Sequence, residues 1–305
     1  SNASIDSEIP KPDPNNYSYD KDFDPAAFVK SYYRSTTEKY APAYTSIIDQ
    51  HYCGPGCYFS VVNGKMVAWS GDTTTQPLFN NFETTIHETV HHVNGIYDCL
   101  IQPGLVIDMG RTDVFESSEF RAIVPAGGAD KIFRYDTYVS EDSKVGANVC
   151  GIYGLMDEFS AYQNGCTASA IAAQTALDLG DKATAKKFLS QARGTYFAYY
   201  EFSLFIAWYL EYAEKQYPAM HAKFMANKNL RVAFTLNEVN FQNTIAKLAA
   251  LDKKLENSEI SEFDSKTGYG TFTKEELPKH ESTLQSFRVK GVTTVNYKTF
   301  LNEKS

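Results

Sequence analysis

His87 and His91 stand four residues apart with Glu88 between them, in the run His87-Glu88-Thr89-Val90-His91. Side chains four apart leave a helix from one face, so both imidazoles can turn a ring nitrogen toward one metal ion. A single catalytic Zn2+ is the cofactor this pair implies. Glu88 cannot ligate beside them. Its carboxylate can instead take a proton from a water that the metal activates and pass it to a leaving amine. The chemistry is hydrolysis of an amide bond, with a peptide or protein as the expected substrate.

A helix must hold these residues. Phe79, Phe82, Ile86, Val90 and Val93 recur at spacings of three or four, which predicts an apolar stripe from Phe79 that stops at Gly95. Just upstream, Cys57 to Trp69 places two β-prone runs around Asn63-Gly64 and predicts a tight hairpin. A catalytic zinc needs a third protein ligand and an open position. The metzincin pattern would put that ligand six residues after the second His and a Gly three after it. Tyr97 and Asn94 occupy those places, with Gly95 and Asp98 one residue out of register, so Asp98 is kept only as an alternative.

The better source is the run Gly154-Leu-Met-Asp-Glu158-Phe-Ser-Ala-Tyr162, which is similar to the ligand helix of gluzincin metallopeptidases. The resemblance covers this helix, the His87 helix and the hairpin, under a third of the chain. It implies Glu158 as third ligand, an α+β zincin-like fold and zinc-dependent peptide hydrolysis. Tyr162, one turn beyond Glu158, would then be an oxyanion donor or an orienting residue, with Tyr153 as the other possibility among 21 tyrosines. Asp157 projects about 100° from Glu158 on a helix, so both cannot face one metal. The expectation for the other acid is a surface or capping role, although Asp157 remains an alternative ligand. Two other functions are kept open, a catalytically silent binding module of the same fold and a zinc hydrolase of a non-peptide amide.

The remaining elements follow from periodicity and breakers. Residues 1–24 read as a tether behind a tag-cleavage scar, Ser1-Asn2-Ala3, and residues 25–305 as the folded domain, with an N-terminal α/β lobe over 25–150 and a helical lobe over 151–305. Pro25 to Gln50 reads as one or two helices interrupted at Pro42. Gly104 to Met109 and Lys131 to Val139 read as strands that pair in a small sheet. Helices are expected over Leu155 to Gln163, Ala168 to Leu179, Ala183 to Tyr217 and onward from a capping box at Thr235-Leu-Asn-Glu238.

Composition narrows the partners. A net charge of −8 without a Lys/Arg stripe argues against nucleic acid. The apolar run Phe202 to Leu210 is much shorter than the roughly 20 residues that span a bilayer, so no transmembrane segment is expected. The polar tether suits a secreted or surface-anchored protein with a lipid anchor upstream. Five cysteines allow at most two disulfides, and Cys53-Gly-Pro-Gly-Cys57 could close a small loop, but zinc-finger spacing is missing. His92, His51, His221 and His280 are expected to be structural or exposed, and the aromatics from Tyr196 to Tyr209 to fill the core.

Overall fold

The computed structural model describes residues 25–54, 59–62, 65–68, 76–256 and 269–302. The tether, the hairpin turn Asn63-Gly64, Cys57 and most of the charged stretch after Asp252 lie outside them.

Among the described residues the fold is α+β, mostly helical with two antiparallel two-stranded sheets. The chain opens with α1 (Pro25–Tyr40), a 3-10 turn (Pro42–Tyr44) and α2 (Thr45–His51), the break falling at Pro42 as the sequence predicts. The expected hairpin follows, β1 (Phe59–Val62) on β2 (Lys65–Ala68), with Val62 opposite Lys65. A short α3 (Gln76–Asn80) precedes α4 (Phe82–Asn94), whose Phe82, Ile86 and Val90 are fully buried. Gly95 ends α4 in the left-handed region at φ 49°, with its N–H on the His91 carbonyl. Only glycine adopts that conformation without steric cost.

The second sheet pairs β3 (Asp98–Gln102) with β4 (Leu105–Asp108). Leu105–Asp108 is a strand as expected, but its partner is not the segment Lys131 to Val139. That segment carries a 3-10 turn (Ala129–Lys131) and a short helix, α5 (Tyr135–Val139). The tight Pro103-Gly104 turn lets β4 pair with its immediate neighbour, and Arg134 gives its backbone N–H to buried Glu201 instead of a strand ladder.

After α6 (Gly146–Val149), α7 (Gly151–Asp178) runs through the centre of the molecule and is buried on every side from Gly151 to Cys166. The sequence predicts two helices here. They are one, because Gly165 is not a break but a contact with α4, where an added Cβ would lie 2.3 Å from Glu83 Oε1. Around α7 stand α4, α6, α8 (Lys182–Gln191), α9 (Ala198–Gln216) and α11 (Lys228–Lys254), with α10 (Pro218–Ala226) between the last two. The stretch read as one helix from Ala183 to Tyr217 is thus two. α11 starts seven residues before the predicted capping box. Asn227 caps it by accepting from Leu230 N, while Thr235 Oγ1 donates back to the Arg231 carbonyl. The chain closes with α12 (Tyr269–Glu276) and α13 (Glu281–Phe287).

One hydrophobic cluster runs from Val29 to Val292 and takes in Tyr196 to Tyr199, Trp208 and Tyr209. No helix of the described residues is long and apolar enough to cross a membrane.

Candidate metal centre

α4 and α7 cross in antiparallel fashion, so that His87 and His91 on one meet Glu158 on the other. The facing atoms form a triangle. His87 Nε2 and His91 Nε2 are 3.1 Å apart, and each is 3.4 Å from Glu158 Oε2. Among the described residues this is the one group of His, Cys, Asp or Glu donors gathered closely enough to share an ion. A tetrahedral zinc about 2.0 Å from each donor would set neighbouring donors about 3.3 Å apart, so these edges match one face of its coordination shell. Glu158 Oε2 is buried with no hydrogen-bond partner, an arrangement that costs free energy unless a cation completes it. The donor set therefore fits zinc.

Asp157 is neither a surface carboxylate nor a cap, which corrects the expectation from its position. It is 6% exposed and accepts a hydrogen bond from His91 Nδ1 at 2.8 Å. Its other oxygen accepts from Asn94 Nδ2 at 2.9 Å, and Asn94 Oδ1 accepts from Leu100 N of β3 at 2.8 Å. The roughly 100° between neighbours on a helix puts Glu158 at the inner nitrogens and Asp157 at the outer nitrogen of His91. A carboxylate there fixes the tautomer with the proton on Nδ1 and leaves Nε2 as the donor.

Charge follows the same pattern. Burial alone would lower the His91 pKa, but its hydrogen bond to Asp157 and the nearby carboxylates of Asp157 and Glu158 overcome this and raise it well above the usual histidine value. Burial alone would raise that of Glu158, yet both imidazoles hold it below the usual carboxylate range. The pocket favours a cation.

Glu88 lies half-buried on α4 beside this group. Tyr162 is 8% exposed with its ring 4.3 Å from that of His87, and its hydroxyl shares a 2.7 Å hydrogen bond with Tyr138 of α5. The Arg134 guanidinium, paired with buried Glu201, covers the Tyr162 ring at 4.7 Å. Burial pushes the Tyr138 phenol up, as does negative Glu158. Tyr153 is elsewhere, bonded to Thr112 at 2.9 Å, and Asp98 begins β3 outside the donor group. His92 is exposed.

Sequence reasoning missed Tyr138, Arg134 and Asn94. Nothing in local spacing joins α5 or the end of α4 to α7. The one available signal was adjacent acids about 100° apart, able to serve two nitrogens of one imidazole.

One turn before His87 on the same helix α4, Glu83 is enclosed beneath Gly165, with Oε1 unpartnered. Burial pushes its carboxyl up to about 7. No family model, no curated protein and no solved structure matches the chain, so the chemistry of this group of side chains is what bears on function.

Proposed function

We propose that this protein is a zinc-dependent peptidase of zincin-like fold, with His87, His91 and Glu158 holding the ion and Glu88 as general base. The observation that carries the reading is the convergence of two imidazole nitrogens and an otherwise unpartnered buried carboxylate oxygen on one point. Zinc, when bound, supplies a Lewis acid that acidifies water and polarises a substrate carbonyl. Glu88, half-buried and the one acid of the motif, takes the water proton on its carboxylate and returns it to the departing amine. The linked hydroxyls of Tyr138 and Tyr162 can donate a hydrogen bond to charge developing on the carbonyl oxygen. Asp157 holds the imidazole of His91 in its donor orientation. Export, by secretion or a lipid anchor, belongs to this reading and rests on the polar N-terminal stretch alone.

Elemental analysis after zinc exposure and dialysis is the first test, followed by cleavage profiling on peptide libraries. The expected result is one zinc per chain, lost in Glu158→Ala, and cleavage that disappears in Glu88→Gln while zinc stays bound. A parent without zinc would end the proposal. One observation favours a second reading, a module that keeps the metal without turnover: His87 is 5% and Glu158 8% exposed, which leaves substrate a narrow approach. Bound zinc with no cleavage of any library or non-peptide amide would establish that alternative.

A further inference from the structure

A cleft opens on the side of α7 away from the candidate metal centre. At about 100° per residue, Gln163, Thr167, Ala170 and Ile171 lie between about 120° and 220° around the helix from Glu158, so they face away from the two imidazoles. With the turn at Tyr44, the β3–β4 turn and α11 they enclose a cavity of about 380 Å³. That is the scale of a small-molecule site.

Where two helices meet, apolar side chains would ordinarily fill the seam, since polar groups there cost free energy unless hydrogen-bonded. Here the floor is polar and fixed. Gln163, 1% exposed, donates from Nε2 to Thr167 Oγ1 at 2.7 Å, and Thr167 shares a 2.7 Å hydrogen bond with Thr244, itself 5% exposed. Asn240 of α11 donates to the Ile101 carbonyl at 3.1 Å, which orients its amide. The exposed amides of Gln102 and Asn243 stand at the rim, Lys247 is the one cation, and no carboxylate lines the cavity among the described residues. Pro103, Ala170 and Ile171 supply apolar wall.

Carboxamides and hydroxyls each donate and accept, which is the pairing that the hydroxyls of a sugar offer in return. A charged ligand would meet a single lysine. The apolar wall suits the C–H face of a pyranose ring. From this lining we infer that the cleft binds a neutral saccharide of one or two rings.

This inference does not rest on the zinc reading, since the cleft is on the opposite face of α7 and binding can be measured on protein stripped with a chelator. The probes are N-acetylglucosamine, cellobiose and maltose, followed by ligand-observed NMR and calorimetry, with triglycine amide as a neutral peptide control. Expected is saturable millimolar binding of at least one sugar, weakened about threefold to tenfold by Asn243→Ala and by Gln102→Ala, the loss of one hydrogen bond each. Both positions are exposed, so the fold is retained. Saturation by none of the sugars, equal affinity in both variants, or binding of the peptide alone would overturn it.

Discussion

Two acids side by side on α7 do different work because a helix turns them to different atoms. Glu158 faces the Nε2 atoms of the two imidazoles, whereas Asp157 accepts a hydrogen bond from His91 Nδ1 at 2.8 Å. Asp157→Asn should therefore leave the three donors in place and lower zinc affinity by about 10- to 100-fold, measured by competition with a chromogenic chelator. Glu83 gives a different test. Its folded-state pKa, near 7, lies above its ordinary value of 4.5, so the folded protein holds that proton longer than the unfolded chain. Stability should fall as pH rises through this interval and level off above it. Against Glu83→Gln in chelator, the parent should lose about 2.5 kcal/mol between pH 5 and pH 8 in urea titrations. Parallel curves for the two proteins would show that Glu83 is ionised in the fold.

At the scale of elements, the centre depends on how closely α7 approaches its neighbours. A Cβ at Gly154 would lie 1.8 Å from the Gly146 carbonyl oxygen, a backbone atom of α6 that cannot turn aside. At Gly165 the nearest atom is the end of the Glu83 side chain, at 2.3 Å, which can swing. Gly154→Ala should thus cost about 3 kcal/mol and Gly165→Ala about 1 kcal/mol, read as unequal drops in thermal midpoint. Similar losses would mean that α6 moves freely. These contacts also explain which elements were legible beforehand. Ile86, Val90 and Gly95 mark α4 within a dozen residues, and Asn63-Gly64 marks the first hairpin, because periodicity and turn chemistry act locally. The gap read between Gln163 and Ala168 and the capping box at Thr235 misled, since the glycine in that gap packs on Glu83 and the threonine bonds back to the Arg231 carbonyl, partners that spacing alone does not reveal.

Across the whole molecule, the C-terminal segment is fastened to the helical body by ion pairs. Arg288 grips Glu238 of α11 through Nε at 2.6 Å and Nη2 at 2.9 Å. His280, expected to be structural or exposed, lies between Glu211 and Glu276 at 2.7 and 3.2 Å. Arg288→Ala would leave the Glu238 carboxylate, 4% exposed, buried without its cation. A loss of about 3 kcal/mol in chemical denaturation is expected, and a loss below about 1 kcal/mol would place Glu238 in contact with water. The sequence by itself determined the helical character of most of the chain, the histidine pair on one helix face and the acid able to join it, because helical period and residue chemistry are properties of neighbours. Tertiary structure alone decided that Asp157 serves His91, that Tyr138 reaches Tyr162, that β4 pairs with β3, and that amides and hydroxyls line a cleft on the face of α7 opposite the candidate metal centre. Each of those pairings joins side chains from separate elements, and their meeting depends on how the helices cross.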